Sequence, residues 1–472
     1  MCACMYAFMY VCMYVCVYVC MVGPDASDKT PLAKARRLNQ RLPQLMAAGL
    51  GLKSAYTLLH TFSQGCANHL QRANFEDGQW VQDLDDELHK GLELLLGTAT
   101  GAAHRELASL SAQDGGLAFA SLPRRSAPAF LGSWALNFEY VAELLDVATV
   151  EGFRAKCPTL GAELDRAEQV LRQAGGNNGL PLNWLGFLND SVPKLQGVWS
   201  KQISTKAAKA MLDPIGNLSE ADAADARSHG GPGASTFLLP SLEGVRAMPD
   251  SHFRVALCDR LLLPVCREGD RCKHRRPDGR LCGAFLDARG KHARMCGIGG
   301  AVDARHNSLR DWGATAWTLC TGTPAKKEQH VPQWDRQNPR TGEVEEAVLD
   351  IATADLRTGA PLYVDVVVKT AYTTDPARLR ARARKNGVAA AEAATGKRRR
   401  YPDGGAGLIP LAFEDGGRPC EEAVSFIRML GACRTEAEDG CTDWGGTARL
   451  WQECSTLLQL GNAELILSAN GR

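Results

Sequence analysis

The sequence predicts a mixed α/β protein (α/β or α+β) with a helical N-terminal half, a small Cys/His segment and a C-terminal core. Three observations carry this prediction. Apolar residues recur at helical spacing through residues 30–245. Cysteine, histidine and glycine concentrate within residues 251–300. Beyond residue 300, β-branched runs alternate with helix-like runs in the order αβββαβ, which is typical of a core built on a mixed sheet.

Length and composition set the frame for the domains. A chain of 472 residues with 45% hydrophobic content is long enough for two or three domains with true cores. The chain is predicted to begin with a low-complexity leader (residues 1–24) and a mainly helical region (25–250). The Cys/His segment (251–300), the α/β core (301–435) and a C-terminal helical tail (436–472) follow.

The leader has a four-residue period. Residues 9–21 read MYVCMYVCVYVCM, and three repeats of the tetranucleotide ATGT encode Met-Tyr-Val-Cys, so the simplest explanation is a translated microsatellite. The leader lacks the basic start and the cleavage site of a secretory signal, and it is too interrupted for a membrane span. Of seventeen cysteines, five fall in the first twenty residues. The others show no regular spacing, which favours an intracellular protein with free thiols over a disulfide scaffold.

The N-terminal half shows no catalytic constellation. Residues 31–62 and 80–99 carry apolar residues three and four apart, which predicts amphipathic helices. Turn-forming residues predict breaks at 113–130 and 174–183 and a linker at 228–235. The apolar stripes of this half are interpreted as core positions.

Charge is uneven although the net charge is only +1. Residues 251–300 hold eleven Lys/Arg against five Asp/Glu, and residues 371–410 hold nine against three. Two basic islands in a neutral chain indicate local contact with a polyanion. The alternative is a solvated charged face.

The Cys/His segment contains four candidate metal ligands with the spacing C-x9-C-x9-H-x3-C: Cys272, Cys282, His292 and Cys296. Zn²⁺ binds four thiolate and imidazole ligands in a tetrahedron, and a histidine three residues before a cysteine places both on one turn of chain. The segment is too polar to bury a core of its own. A bound metal would supply folding free energy on the order of 10 kcal/mol. Cys258, Cys266 and His274 are competing ligands, and free thiols are the alternative.

The elements of the α/β core follow in order. A helix is predicted at residues 305–320 and a short strand, ended by Pro332, at 326–332. Residues 347–371 are predicted to form two strands joined by a turn at Thr358-Gly359. One long Arg- and Ala-rich helix at 375–401, a strand at 407–413 and a helix at 421–430 follow.

Two carboxylates interrupt the apolar strands of this core. Asp350 and Asp365 lie between β-branched residues, where an unpaired charge costs several kcal/mol. Adjacent strands are about 4.8 Å apart, so the two acids could share one hard cation. Lys369 falls on the same face as Asp365 by strand alternation, where its ammonium could steady a phosphate or a hydroxide. The alternative places both acids at solvated strand ends.

Together these features resemble a known family. The Cys/His array, Arg-His-Asn at residues 305–307, the strand aspartate, V-D-V-x-V and a later Lys-x3-Tyr are similar to the C-terminal region of non-LTR retrotransposon proteins. That region is a zinc-knuckle-like segment followed by a restriction-enzyme-like endonuclease of the PD-(D/E)xK fold. The resemblance covers roughly residues 255–430, with a weaker similarity at 113–122 to the segment after the polymerase. The polymerase motif Tyr/Phe-x-Asp-Asp is absent from the sequence.

The resemblance implies a set of functional residues. Asp350 and Asp365 would bind catalytic Mg²⁺ or Mn²⁺, and the following helix would supply Lys397 and Tyr401. Arg305 and His306 match the Arg-His pair expected near the DNA phosphate, and among the basic residues of the long helix, Arg380, Arg384 and Lys385 would contact phosphates. The implied reaction is metal-assisted hydrolysis of a phosphodiester bond. The implied partners are DNA and the element's RNA, with no membrane, and the implied location is the nucleus.

Two positions depart from the family pattern. Leu349 replaces the proline before the first acid, which is minor because proline is not a ligand. Val367 stands where the signature has its lysine, so Lys369 or Lys397 must substitute, or the site is inactive. An inactive nucleic-acid-binding relic is therefore the second hypothesis. A third is an interaction protein that acts through its helical half.

Overall fold

A computed structural model describes residues 31–73, 75, 78–119, 121–176, 194–213, 218–338, 340–402, 407–437 and 446–471. The predicted leader lies outside these residues. The described chain forms two compact units. The N-terminal unit comprises residues 31–110 and 118–210, and the C-terminal unit comprises residues 111–117 and 211–471.

The N-terminal unit is helical, as predicted. The helices described, numbered in chain order, are α1 (Pro31–Ala47), α2 (Leu52–Gly65), α3 (Asn68–Ala73), α4 (Gln79–Leu96), α5 (Ala102–Ser109), α6 (Leu122–Leu144), α7 (Val150–Lys156), α8 (Pro158–Ala174) and α9 (Leu195–Met211). α4 shows the logic of the unit, because Leu84, Leu88 and Leu92 recur at four-residue spacing and are fully buried.

The break predicted at residues 113–130 is shorter than expected. The described residues between α5 and α6 are non-helical apart from a 3-10 turn at Ala112–Asp114, and α6 already begins at Leu122. Pro123 lies in the first turn of α6, where a missing backbone N–H costs nothing and the fixed φ favours the helix. Pro123 therefore favours the start of this helix, whereas the turn-forming composition of the segment predicts a break.

The C-terminal unit mixes helices and strands, which confirms the predicted mixed α/β class. Its described helices are α10 (Glu220–Ser228), α11 (Asp250–Arg260), α12 (Lys291–Met295), α13 (Ala301–Thr321), α14 (Pro376–Arg384), α15 (Val388–Arg400), α16 (Glu421–Ala437) and α17 (Thr447–Ala469). Its described strands are β1 (Lys326–His330), β2 (Arg336–Gln337), β3 (Val344–Glu345), β4 (Val348–Ala354), β5 (Pro361–Lys369) and β6 (Gly407–Glu414).

Four strands form one mixed sheet in the order β1-β4-β5-β6. β4 pairs antiparallel with β1 and with β5, whereas β5 and β6 are parallel. The parallel pair needs a crossover, which α14 and α15 provide. The short pair β2–β3 is separate from the sheet and was not predicted.

The core of the C-terminal unit lies between the sheet and its helices. Trp317 of α13 stacks on Phe426 of α16 with ring centroids 6.0 Å apart, and both side chains are buried. Beneath them lie the sheet residues Ile351, Val364 and Leu411, all fully buried. This apolar layer holds the strands that carry the two acids in a fixed register.

α17 corrects the prediction of a C-terminal tail. It is a 23-residue helix buried along most of its length, and Ile466 packs against the Cys/His segment. Its polar residues are buried too. Gln452 donates to the carbonyl of Pro240 at 2.8 Å, and Asn462 donates to that of Asp415 at 2.6 Å. Because polar side chains point inward to satisfy loop carbonyls, the apolar periodicity that marks a core helix is blurred.

The boundaries between the two compact units lie near residues 110–118 and 210, whereas the sequence predicts a domain boundary at residue 250 and only a turn-rich break at 113–130. Within the C-terminal unit, the buried guanidinium of Arg260 donates to the carbonyls of Ala112, Gly116 and His229 at 2.7 to 2.8 Å. These bonds tie residues 111–117 to a unit distant in sequence.

The long basic helix predicted at residues 375–401 is divided into α14 and α15, because Gly387 between them adopts a left-handed φ of 75°. In the described part of the chain, no helix is both long and apolar enough to cross a membrane.

Candidate metal centre and acidic pair

A hairpin-like loop and the short helix α12 position the four predicted ligands of the Cys/His segment. The backbone N–H of Cys272 donates to Ala284 and that of Cys282 donates to His274, both at 2.8 Å, so the two cysteines lie on facing arms. His292 lies in α12, and Cys296 follows at its end. The carboxylate of Asp287 accepts the backbone N–H of His292 at 3.1 Å and fixes the start of this helix.

The four ligand atoms lie within 4.8 Å of one another. The Sγ of Cys296 is 4.0 Å from that of Cys272 and 3.7 Å from that of Cys282, and the Cys282 Sγ is 3.4 Å from the His292 Nε2. A tetrahedron with Zn–S bonds of about 2.3 Å requires sulfur atoms about 3.8 Å apart. A disulfide would require about 2.0 Å. The four side chains could therefore hold a metal ion such as zinc, as predicted.

The three competing ligands are engaged elsewhere. Cys258 is buried within α11, and the Sγ of Cys266 accepts a hydrogen bond from Asn470 at 3.4 Å. The Nε2 of His274 lies 2.9 Å from the hydroxyl of Ser468. The geometry thus favours the four clustered residues over these three as metal ligands.

Burial is the largest influence on the pKa values of the three thiols in this cluster. It raises the pKa of Cys272 to about 12 and also raises the pKa of Cys296. For Cys282 burial acts in the same direction, but hydrogen bonds from the Ala284 N–H and the neighbouring thiols hold its pKa below the ordinary value. Metal binding would deprotonate such thiols, so it should release protons and strengthen with pH.

A buried charge network lies beside the cluster. Arg294, two residues after His292, contacts the carboxylates of Asp225, Asp259 and Asp415 at 3.1, 3.3 and 3.5 Å. Its guanidinium is almost fully buried, as are the three acids. Burial would lower the pKa of Arg294, but the three carboxylates raise it well above its ordinary value. Sequence reasoning missed this residue, because nothing distinguishes it from the exposed arginines around it.

The two strand acids lie next to each other. Ile351 pairs with Val364 across β4 and β5, so Asp350 and Asp365 come next on the two strands, and their carboxyl groups are close enough to shift each other's pKa. The backbone N–H of Val366 donates to the Asp350 carboxylate at 2.7 Å, which fixes its orientation. The predicted neighbours are therefore neighbours in space.

Each acid has a cationic or imidazole partner. The Nε2 of His306, on α13, lies 2.8 Å from Oδ1 of Asp350. The Nζ of Lys397, on α15, lies 2.6 Å from Oδ2 of Asp365. Burial alone would raise the pKa of Asp350, but His306 more than compensates and the net shift is downward. Burial and the adjacent Asp350 raise the pKa of Asp365 to about 7 against the opposing charge of Lys397.

The structure distinguishes the two lysines that could replace the missing signature lysine. Lys397 contacts Asp365 directly. Lys369 is exposed at the end of β5, four residues along the strand, or about 13 Å from Asp365. Val367 lies between them on the same face. Leu349 is fully buried and packs with Val331 and Trp334.

Tyr401 lies near the acidic pair at the end of α15. Its ring is tilted against Trp334 with centroids 5.4 Å apart, and it is half-buried. Burial raises the pKa of Tyr401, and the charge of Asp365 raises it further. Tyr401 is thus close enough for the charges of the two acids to shift its pKa.

The prediction for Arg305 needs correction. Its side chain is buried, and the guanidinium donates to Oδ1 of Asn462 in α17 at 2.6 Å. Burial lowers its pKa to about 10. Because its guanidinium points into the protein, it cannot contact a phosphate in this conformation. Its neighbour His306 instead turns towards Asp350 and is one-third exposed.

The basic residues of α14 divide between two environments. Arg380, Arg384 and Lys385 are exposed, as a phosphate contact requires. Arg382 is buried and donates to the carbonyls of residues 370–372 and to Glu392. A helix that packs on one side cannot present every arginine to solvent.

No protein-family model matches the chain, and no curated protein matches it either.

Proposed function

We propose that the C-terminal unit is a metal-dependent DNA endonuclease that hydrolyses phosphodiester bonds, with the fold of the PD-(D/E)xK nucleases and an origin in a non-LTR retrotransposon. The contact of Asp350, Asp365 and Lys397 at one point of the sheet is the observation that carries the proposal. Two acids on adjacent strands and one lysine are the functional groups that such hydrolysis needs. An enzyme acting on DNA in this way would work in the nucleus.

The acidic pair fits a hard divalent cation. Its donors are carboxylate oxygens, which Mg²⁺ and Mn²⁺ prefer. Two adjacent carboxyl groups repel each other when both ionise, and burial adds to this cost, as the raised pKa of Asp365 reflects. A bound Mg²⁺ or Mn²⁺ would relieve that repulsion, polarise the scissile phosphate and lower the pKa of a bound water.

The protein side chains would perform the remaining tasks. The Val366 N–H and His306 hold the Asp350 carboxylate in one orientation, so little rearrangement is needed when substrate arrives. The ammonium of Lys397 already lies at the pair, where it can orient the attacking water or neutralise charge on the phosphate. Because Lys397 comes from α15 and not from β5, the valine at position 367 does not remove the lysine from the site.

Nicking of supercoiled plasmid tests the proposal. The purified chain is expected to nick DNA with Mg²⁺ or Mn²⁺, and Asp365→Asn is expected to lower the rate by at least about 10²-fold. Asp303→Asn, an exposed carboxylate at the start of α13, is the matched control and should keep the wild-type rate. Equal rates in wild type and Asp365→Asn would contradict the proposal. Binding of DNA without any nicking would favour the inactive relic.

A further inference from the structure

A groove runs beside the acidic pair and is not explained by the chemistry of hydrolysis. It is a cavity of about 960 Å³ between the end of β5, the loop from α14 to α15, one side of α15 and the start of α16. Val367 and Lys369 line it, and they share the face of β5 that carries Asp365. The groove therefore begins about 7 Å along the strand from the proposed catalytic acid.

The groove is rich in cations. Six of its lining residues are basic: Lys369, Arg378, Lys385, Arg398, Arg399 and Arg418. Three are acidic, and two of these are already paired, Glu392 with Arg382 and Glu422 with Arg398. The lining therefore has an excess of positive charge.

Three of the cations have no acidic partner among the residues that the structure describes: Lys369, Lys385 and Arg399. All three are exposed. Lys369 and Lys385 lie towards the start of α15, and Arg399 lies near its end. Val388 and Arg399 are eleven residues apart, so the line of charge extends about 17 Å.

The part of the groove between these cations is lined by residues with short side chains. Ala391, Thr395 and Gly396 of α15 are exposed and carry short side chains, so a chain of atoms can approach the helix closely. Among the residues that the structure describes, no aromatic side chain lines the groove. Recognition by base stacking, which single-strand binding proteins commonly use, is therefore absent here. What remains is contact with charged groups along a backbone.

We propose that this groove holds the sugar–phosphate backbone of a single nucleic-acid strand next to the scissile phosphodiester. A cavity of this volume is of the size that encloses a small ligand or a short strand segment. A duplex, whose major groove alone is about 12 Å wide, could only lie across its mouth. The groove would thus position a strand that has left the duplex, independent of its sequence. This inference rests on the proposed endonuclease, because it takes the acidic pair as the point of cleavage.

Oligonucleotide binding tests the groove separately from cleavage. The background is Asp365→Asn, no divalent ion is added, and fluorescence anisotropy reports the affinity for labelled single strands and for a hairpin duplex. Lys385→Gln combined with Arg399→Gln is expected to weaken single-strand binding at least about tenfold at 0.1 M salt. The slope of log affinity against log salt should fall by about 1.4, from two lost phosphate contacts at about 0.7 each. Duplex affinity should change less than about threefold.

The control removes the same charge elsewhere. Arg340→Gln combined with Arg357→Gln changes two exposed arginines outside the groove and outside both basic islands, and should leave single-strand affinity within about twofold. DNA and RNA oligonucleotides are compared, and loss of binding by either one supports the groove and identifies the strand it takes. Unchanged single-strand affinity, or an equal loss for duplex and for the control, overturns the inference. Because no cleavage is measured, a chain that fails to nick plasmid leaves this result readable.

Discussion

The Cys/His cluster and the acidic pair are two candidate metal sites in one unit, and they differ in what holds them together. Three thiols and an imidazole contact one another directly, 3.4 to 4.0 Å apart. At the acidic pair, Lys397 and His306 already hold the two carboxylates. The acidic pair is therefore stabilised by protein side chains without a metal, whereas the thiols and the imidazole of the cluster contact mainly one another.

The packing around the two sites follows the same division. Among the buried residues that pack around the cluster, only Leu286 and Ile466 are large apolar side chains. The acidic pair instead lies on strands whose apolar residues belong to the main core, including Ile351, Val364 and Val366. The difference teaches that one metal would serve folding and the other only chemistry, because the sheet is stable through its own core.

Removal of the metal from the Cys/His cluster should have the largest effect. Cys296→Ser, or a chelator, takes away folding free energy on the order of 10 kcal/mol at most, so the segment and α17 packed against it should lose order. Thermal unfolding with and without added Zn²⁺, together with metal analysis of the purified chain, measures this. Cys433→Ser removes a half-buried thiol outside the cluster and should change neither zinc content nor Tm. Full stability without zinc would remove the contrast between the sites.

The second prediction concerns the link between the two regions. Arg294→Met removes the cation that three buried carboxylates share. Asp225 keeps its contact with Arg289. Asp259 and Asp415 lose their guanidinium partner, so the free energy of unfolding should fall by about 3–5 kcal/mol. Asp415, one of the three, also accepts the backbone N–H of Ala371 just beyond β5 at 3.0 Å. Hydrogen exchange should therefore increase at residues 369–371 as well as in α12. Arg267→Met, an exposed arginine, is the control, and faster exchange confined to α12 would show that the regions are independent.

The acidic pair is tested by its two lysines. Lys397→Met removes the cation that contacts Asp365 and should lower plasmid nicking by roughly 10²–10³-fold, or about 3–4 kcal/mol. Lys369→Met changes an exposed lysine about 13 Å away and should cost less than about tenfold at saturating DNA. Initial nicking rates at saturating plasmid measure both. A larger loss for Lys369 than for Lys397 would assign the reacting lysine to the strand.

The elements were predictable because their patterns are local. β-branched runs gave β4, β5 and β6, and the separation of Asp350 from Asp365 placed them on adjacent strands because only one turn intervenes. The four metal ligands could be chosen because three cysteines and a histidine share one short segment. Lys397 came only from a resemblance, since no periodicity links a helix position to a strand carboxylate. The packing of α15 against the sheet brings Lys397 to Asp365, and this long-range contact leaves no local pattern in the sequence.

The failures have a common physical cause. Arg305 was assigned to a phosphate, but its partner Asn462 lies 157 residues away in sequence. The sequence of α17 predicts a tail because its buried polar residues, which satisfy distant carbonyls, mask its core face. Arg294 resembles any surface arginine until three acids from three segments surround it. Long-range polar pairing is thus what local pattern could not supply.

The smallest predicted effect concerns Glu414, a third buried acid of the sheet, which anchors the start of the helix that carries Lys397. Its carboxylate accepts the backbone N–H of Ala389 at 2.9 Å. Burial raises the pKa of Glu414 from 4.5 to about 7, although Arg418 opposes the shift. The folded chain therefore binds this proton more tightly than the unfolded chain. Relative to Glu414→Gln, the wild type should lose up to about 3 kcal/mol as pH rises from about 4.5 to about 7.

Urea unfolding of both chains at several pH values between 4 and 8 measures this difference. Glu421→Gln, an exposed acid at the start of α16, is the control and should show no such trend. If the wild type instead gained stability over this range, the carboxylate of Glu414 would be stabilised by Arg418 and the helix N–H groups. Glu414 would then resemble Asp350, whose partner outweighs burial, more than Asp365, whose partner does not. The balance between burial and pairing, and not burial alone, would then decide which acids of this sheet stay ionised.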